Sequence, residues 1–284
     1  MRYFLICIFL SGMFSEAISS EKSDIDYADS LYNTGNYFEA AIEYERTFYY
    51  SKDVQIKNQS LYRKALCYKR LGNYQESFRS LERISYFGVS PEKRDLYQYE
   101  SALMAYLVDE YVKCNKYLVL LSSAELDSAM QVNIFLLGAL NSVMIKDFDQ
   151  SRNYSKKYIS SVNFGNELDT VRLSVLFSKK NLPKLKNEKT LFWVGLVPGF
   201  GQIYAGKPGE GITNSLMNAA VFTFGVYQMI NGFYFTGYFV GALSINKLYF
   251  GGRSRAEYIL KVRNQEKLKS FHNRLNDYLL SLNE

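Results

Sequence analysis

Residues 27–44 read YADSLYNTGNYFEAAIEY, residues 62–81 read YRKALCYKRLGNYQESFRSL, and both contain Gly-Asn-Tyr. The two Gly-Asn-Tyr segments lie 37 residues apart, and two further steps of 37 residues add two more segments without a gap. The aligned sets are Ala28, Ala65, Ala102 and Ala139; Gly35, Gly72, Asp109 and Lys146; Tyr37, Tyr74, Tyr111 and Phe148; and Ala40, Ser77, Cys114 and Ser151. Self-similarity at one period predicts a repeat architecture.

Each aligned set fits one position of a helix-turn-helix unit. A small residue lets the paired helices approach, a turn residue ends the first helix, an aromatic ring packs between neighbours, and a second small residue lies at the next crossing. We expect repeats over 21–57, 58–94, 95–131 and 132–168. The segment NELDTVRLSVLFSKK, residues 166–180, predicts the capping helix that such a stack needs. A capping helix and a lysine-rich linker are expected over 169–189.

The order of these sets resembles the tetratricopeptide repeat, although the period is longer than that family's usual 34 residues and the later copies lose the turn glycine. The resemblance implies an all-α solenoid whose first helices line a concave groove for a peptide or protein segment. The implied groove residues are Tyr32, Tyr62, Arg63, Lys69, Arg70, Tyr99 and Tyr106. The three cations would bind a carboxylate together, and the tyrosines would add stiff contact area. The alternative is solvated cations and packing rings.

Charged side chains disappear after the linker. Residues 211–246 contain no charged residue in 36 positions, which suffices for two tight membrane crossings of roughly 17 to 20 residues each. We expect transmembrane helices near 211–230 and 233–250. Three glycines would allow close approach of the two helices, and three amide side chains would bond across the hairpin or, alternatively, line a small pathway. These residues are Gly225, Gly237 and Gly241, and Asn214, Asn218 and Gln228.

The segment before the hairpin, residues 196–211, reads LVPGFGQIYAGKPGEG and has nearly the spacing of a nucleotide phosphate loop. Such a loop needs Ser or Thr after its lysine, whereas Pro208 follows Lys207, and the next 36 residues after Glu210 contain no acid to hold magnesium. Nucleotide binding is therefore not expected.

The same segment resembles the signature of small two-helix membrane domains of bacterial envelope proteins, Pro-Gly-x-Gly-Gln-x-Tyr-x-Gly. The matching residues are Pro198, Gly199, Gly201, Gln202, Tyr204, Gly206 and Lys207, and the likeness extends over about residues 190–257. It implies a membrane domain over 190–252 that begins with an interfacial or re-entrant segment, 190–206. Pro198 would end a helix, the glycines would allow a tight reversal, and Gln202 would bond backbone groups. Tyr204 and Lys207 would lie at the lipid headgroups.

The C-terminal segment 253–284 has apolar residues at helical spacing opposite lysines and arginines, which predicts an amphipathic basic helix. It would lie along the membrane surface or dock onto the repeats. Residues 166–284 carry 15 basic and eight acidic residues. This excess surrounds the most apolar part of the chain, as expected for a segment that faces lipid headgroups.

The first 20 residues have the order of a secretory signal peptide. Met1-Arg2 precedes the apolar run YFLICIFL and then SGMFSEAISS, with cleavage expected near Ser19 or Ser20; an uncleaved anchor is the alternative. The repeats would then face the periplasm at a bacterial inner membrane. We expect two crossings; a third, over 190–206, would bring the basic C-terminus to the cytoplasm. Cys67 and Cys114 occupy non-equivalent positions of different repeats, which favours two buried free thiols.

Catalysis is not expected. The one histidine, His272, argues against serine-histidine triads, cysteine-histidine proteases and zinc sites built from several imidazoles. No groove-sized basic surface with base-reading partners predicts nucleic-acid binding. We therefore expect an adaptor or scaffold, without cofactor or metal, that binds a protein or peptide and contacts membrane lipid. The alternative is a component that assists transport, insertion or secretion through homo-oligomerisation of the hairpin.

Overall fold

The protein is built from helices. A computed structural model describes residues 25–122, 127–162 and 167–282, and every regular element in these ranges is helical. The predicted all-α class is confirmed. The predicted signal peptide, residues 1–20, lies outside the described residues. The chain divides into two compact units, Met1–Thr170 and Val171–Glu284.

The first unit consists of helices joined in pairs by short turns. The helices are α1 (residues 25–33), α2 (Tyr37–Tyr50), α3 (Val54–Arg70), α4 (Tyr74–Glu82), α5 (Pro91–Leu107), α6 (Tyr111–Leu121), α7 (Ser128–Met144) and α8 (Phe148–Val162). The second helix of each pair begins at an aligned aromatic residue, so α2, α4, α6 and α8 start 37 residues apart. Helix α9 (Glu167–Leu176) follows and contains the boundary between the units.

The four aligned turn residues share one backbone conformation. Gly35, Gly72, Asp109 and Lys146 have φ values of 83°, 73°, 63° and 67°. In the second pair, the Gly72 amide donates to Lys69 O at 3.2 Å and the next amide donates to Tyr68 O at 2.9 Å. The other three turns have the same two bonds, which together form the Schellman cap. This cap needs a left-handed residue, which glycine supplies at the least cost.

The two aligned sets of small residues lie where the paired helices cross. Ala28, Ala65, Ala102 and Ala139 are at most 2 % exposed, and the second set is equally buried. The hydroxyl groups of Ser77 and Ser151 donate to the carbonyls of Ala65 and Ala139, both at 2.8 Å. Small side chains allow this close approach, because a larger one would separate the two backbones.

The second unit contains short helices, a hairpin and one long helix. Its elements are α10 (Glu188–Val194), α11 (Phe200–Ala205), α12 (Pro208–Ile230), α13 (Tyr234–Thr236), a π-helical segment (Gly237–Ala242) and α14 (Leu243–Leu280). Helix α14 continues through Gly251 and Gly252, where the sequence analysis places the start of a separate C-terminal helix. Neither glycine has a positive φ and no proline follows, so nothing ends the helix there.

The apolar stripe in the C-terminal half of α14 is buried. Leu268, Phe271, Leu275 and Leu279 are at most 3 % exposed, and the Phe271 ring meets Phe177 edge-on at 5.4 Å between centroids. Protein therefore covers the stripe, so this apolar face is not available to contact a membrane surface.

The charge-free stretch predicts membrane-spanning helices near 211–230 and 233–250. Among the residues that the structure describes, no helix combines the length and the apolar character needed to cross a membrane.

Candidate functional site

The groove residues predicted from the repeats lie on the first helices of three pairs. Tyr32 ends α1, Tyr62, Arg63, Lys69 and Arg70 lie on α3, and Tyr99 and Tyr106 lie on α5. All are partly buried except Arg70, which is exposed. We call these seven residues the repeat face.

Two cations of the repeat face pair with carboxylates of neighbouring repeats. Arg63 Nη1 lies 3.3 Å from Asp29 Oδ1 on α1, and Lys69 Nζ lies 2.8 Å from Glu100 Oε2 on α5. Arg63 and Glu100 are one period apart and carry opposite charges, yet each pairs with a residue of another column, so the 37-residue alignment did not indicate these pairs. Arg63 and Lys69 therefore join successive pairs of helices rather than form, with Arg70, a free three-cation site.

Arg70 is the exposed cation of the repeat face. Its Nε donates to the Tyr32 hydroxyl at 3.5 Å, so one phenol and one guanidinium of different repeats lie side by side. A guanidinium with four other N–H groups still has donors to offer an external carboxylate. Arg70 and Tyr32 therefore form the part of this face that is best placed to bind an acidic group.

Three tyrosines of the repeat face, Tyr32, Tyr62 and Tyr106, make ring contacts. The ring centroids of Tyr62 and Tyr97 are 4.9 Å apart. The rings of Tyr32 and Tyr37 pack edge-on, and so do the rings of Tyr106 and Tyr111. Burial raises the pKa of Tyr62 to about 12. These rings are rigid and half-buried, so they present contact area that loses little conformational entropy on binding.

The first glycines of the motif allow two backbones to touch. Gly199 has a φ of 86°, and a Cβ there would lie 2.0 Å from Ser215 Oγ and 2.2 Å from Gly211 O. The Ser215 hydroxyl donates to Pro198 O at 2.7 Å. Only glycine fits a position that is left-handed and in contact with a neighbouring backbone. The turn before α11 therefore packs directly against the first turns of α12 through the glycines of the motif.

The remaining motif residues fasten α11 to α14. A Cβ on Gly201 would lie 3.0 Å from Ala256 Cβ, and one on Gly206, with a φ of 106°, would lie 2.5 Å from Arg263 Nη1. The side chain of Gln202 is buried and donates to Gly252 O at 2.9 Å, so the prediction that Gln202 bonds backbone groups is confirmed. The glycines thus serve helix packing.

Tyr204 and Lys207 occupy different surroundings. The Tyr204 hydroxyl accepts from the Asn187 amide at 3.1 Å, its ring lies 5.3 Å from Lys186 Nζ, and its carbonyl accepts from the same ammonium group. Tyr204 is thus attached to the linker, whereas the sequence analysis places it at lipid headgroups. Lys207 precedes α12 with a half-exposed side chain, and its Nζ is 4.0 Å from Glu210 Oε1.

Helix α12 forms a hairpin with the π-helical segment and α14, and its burial pattern is the inverse of that of a helix in a water-soluble protein: small and polar residues are buried and large apolar ones are exposed. The buried residues of α12 are Gly211, Asn218 and Gly225, while its large apolar side chains face outward. A Cβ on Gly225 would lie 2.8 Å from Gly241 Cα and 3.4 Å from Gly237 O. The predicted close approach at these three glycines is therefore confirmed.

Two amide side chains, Asn214 and Asn218, lie where α12 packs against α14. Asn214 Nδ2 donates across to Leu248 O at 3.4 Å, as predicted. Asn218 Nδ2 instead donates to Asn214 O of its own helix at 2.8 Å, so the predicted bond across the hairpin is wrong for Asn218. For Gln228 it stays a prediction. Within the described part of the chain, the side-chain oxygen of Asn218 is buried without a hydrogen-bond partner.

The exposed apolar surface of the hairpin is large. Side chains that are 60 % exposed or more occur along α12 and at its tip: Leu216, Phe222, Tyr227, Ile230, Phe233, Tyr234 and Phe235. Five more, between 46 % and 69 % exposed, belong to α10, α11 and the turn between them: Phe192, Trp193, Leu196, Val197 and Phe200. An apolar surface this extensive marks an interaction site.

Cys67 and Cys114 of the helical repeats are buried free thiols, as predicted. Burial raises the pKa of Cys67 and of Cys114 to about 12, so both stay protonated and unreactive at neutral pH. Over residues 25–122, 127–162 and 167–282, no cluster of three or more His, Cys, Asp or Glu side chains is placed to hold a metal ion.

Comparisons of this chain with protein-family models, curated proteins and solved structures found no match.

Proposed function

We propose that this chain is a non-catalytic adaptor of the bacterial cell envelope that is anchored in a membrane by its hairpin. The helical-repeat unit, arranged as a tetratricopeptide-like solenoid, captures a protein or peptide segment on the repeat face. The observation that supports the anchor best is the inverted burial pattern of α12, where glycine and asparagine face inward and large apolar side chains face outward.

Lipid is the surrounding that this pattern fits. Keeping a large apolar side chain in water rather than burying it costs about 1.5 to 3 kcal/mol, and the hairpin has many such side chains. In lipid this cost vanishes, and helices associate through small residues such as the Gly225, Gly237 and Gly241 contact. The exposed aromatic rings of α10 and of the hairpin tip suit the boundary between headgroups and acyl chains.

The repeat face supports the adaptor role. Its ion pairs between α1, α3 and α5 fix the spacing of successive helices, and its tyrosines are rigid. A preorganised surface loses little entropy on binding. Arg70, beside Tyr32, supplies the exposed positive charge, so we expect the bound segment to carry a carboxylate near this point.

The anchor is tested by vesicle flotation of the full-length protein. Replacing Phe222, Ile230 and Phe235 by Ser should abolish flotation with phosphatidylcholine vesicles. The matched control replaces Phe38, Tyr49 and Tyr50, which are equally large and exposed on α2, and should float like the wild type. Retention of flotation by the hairpin variant would disprove the anchor.

Location and partner are tested in cells. If the repeats face the periplasm at the inner membrane, the exposed variant Lys116→Cys should react with an impermeant maleimide. The variant Lys269→Cys reports on which side of the membrane the C-terminal part of α14 lies. The thiols of Cys67 and Cys114 should not react because they are buried.

The partner is tested by cross-linking in cells. Arg70→Glu should remove the cross-linked partner, whereas Lys116→Glu should retain it; equal loss or equal retention would contradict the repeat face as the binding site.

The oligomerising hairpin that assists transport, insertion or secretion stays a prediction. The glycines that would mediate association of two copies already form the seam within one hairpin.

A further inference from the structure

A cavity of about 610 Å³ lies at the base of the hairpin, between the first turns of α12 and the part of α14 around Gly251. It is open to solvent on one side and lies where the charge-free stretch 211–246 ends. Its polar wall includes Glu210, Thr213, Asn214, Lys247 and Arg255, and its apolar wall includes Met217 and Leu248.

Two glycines of the cavity wall have no role in packing. A Cβ on Gly209 or Gly251 would meet no atom within 4 Å, and neither residue has a positive φ. Gly252, beside them, differs, because its Cβ would lie 2.6 Å from Asn214 Nδ2. Glycine within a helix is destabilising relative to alanine. Gly251 therefore leaves open space at the cavity wall at the expense of helix stability, whereas Gly209 lies in the first turn of α12.

Cations dominate the charge around this cavity. Arg255 is held in place by Glu210, with Nε to Oε2 at 3.0 Å and Nη2 to Oε1 at 3.2 Å. The hydrogen bonds from Arg255 hold the pKa of Glu210 below its usual range. Lys207 lies 4.0 Å from the same carboxylate, and Lys247 is exposed on the opposite wall. The cavity lining holds two cations, Lys247 and Arg255, against one acid, and Lys207 lies beside that acid, which leaves a net positive site for an anion.

We propose that this cavity binds the phosphate group of an anionic phospholipid. Lys247 and Arg255 contact the phosphate, and Met217 and Leu248, where the exposed apolar surface begins, contact the first segments of the acyl chains. The inference rests on the proposed membrane anchor, because it requires the hairpin to lie in lipid. The apolar wall favours a lipid phosphate over a free phosphate compound, since a free phosphate would leave that wall uncovered.

The test measures binding of the full-length protein to phosphatidylcholine vesicles with and without phosphatidylglycerol. Phosphatidylglycerol should strengthen binding of the wild type. Lys247→Gln should lower this gain by about fivefold, the effect of one lysine near an anionic surface. Gly251→Leu fills the cavity without changing the charge and should lower the gain as well, while Lys269→Gln, an exposed cation outside the cavity, should keep it. Gly251→Ala, with one methyl group in open space, should give a smaller loss and serves if the leucine variant does not fold.

The outcomes separate the cavity from its alternatives. Full retention of the phosphatidylglycerol gain by both Gly251 variants overturns the proposal, as does an equal loss in Lys247→Gln and Lys269→Gln, which would indicate surface charge alone. Suppression of the gain by inorganic phosphate at constant ionic strength would assign the site to a soluble phosphate compound and overturn the lipid. Wild type that fails to bind even phosphatidylcholine vesicles would instead refute the anchor.

Discussion

Exchanging glycine and lysine between two equivalent turns tests the cap that defines the repeat. Gly72 and Lys146 occupy the same turn position with φ values of 73° and 67°. A Cβ on Gly72 would meet no atom within 4 Å, so replacement there changes the backbone preference and nothing else nearby. A non-glycine residue in the left-handed conformation costs about 1 to 2 kcal/mol, and glycine loses about 0.5 to 1 kcal/mol more backbone entropy on folding.

The net effect is about 0.5 to 1 kcal/mol in each direction. Lys146→Gly should stabilise the repeat unit by this amount, and Gly72→Lys should destabilise it by a similar amount. For a unit of about 150 residues, 1 kcal/mol corresponds to roughly 2 to 4 °C in Tm. The assay is thermal unfolding of the full chain in detergent by circular dichroism, with hydrogen exchange of the Asn73 and Asp147 amides, which complete the two caps. Shifts of the two variants in the same direction, or no shift for Gly72→Lys, would refute the left-handed cap as the basis of the turn.

Three further predictions concern the second unit and the thiols. In urea unfolding, Gly251→Ala should raise the free energy of unfolding by about 0.5 to 1 kcal/mol. Gly252→Ala, whose Cβ would meet Asn214, should lower it by about 1 to 3 kcal/mol, and equal effects would contradict the open space at Gly251. Gly199→Ala should destabilise the second unit by about 3 kcal/mol, because a Cβ would clash with Ser215 and Gly211 in a left-handed residue, and Lys207→Ala should leave the midpoint unchanged; a stable Gly199→Ala protein would be the contrary result. The folded pKa of Cys67 and Cys114, about 12, lies above their ordinary value, so their contribution to stability is complete below about pH 8.5 and is lost as pH rises towards 12. The urea midpoint should therefore fall above pH 9 and fall less in Cys114→Ala, and a midpoint that stays constant to pH 11 would argue against burial of the thiols.

The sequence predicted the positions of helix turns better than the surroundings of side chains. The turn at Lys146 follows from register alone, because a Schellman cap is a local structure of about six residues. The pairing of Arg63 with Asp29 depends on how two helices of different repeats face each other, which the period does not specify. For this reason the sequence predicts one carboxylate-binding site of three cations, whereas the structure has two ion pairs between repeats, made by Arg63 and Lys69, and one exposed arginine, Arg70.

The glycine-rich segment shows the same difference. Its spacing and the following proline argued against a phosphate loop without any coordinates. The contact between Tyr204 and Asn187 joins residues 17 positions apart, and the contact between Gly206 and Arg263 depends on the position of the distant helix α14. The cavity at Gly251 likewise exists only because α12 and α14 pair at that height.

The sequence by itself determined the all-α class, the 37-residue period, the positions of the turns and the charge-free stretch, because each depends on neighbours within a few residues or on composition. Only the tertiary structure decided which of these residues meet: the ion pairs of the repeat face, the backbone contacts of Gly199 and Gly225, the continuous α14 and the outward-facing apolar surface of the hairpin. The physical reason is that contacts between distant segments depend on helix packing, which is set by the shapes of both partners together and is not encoded at either position alone.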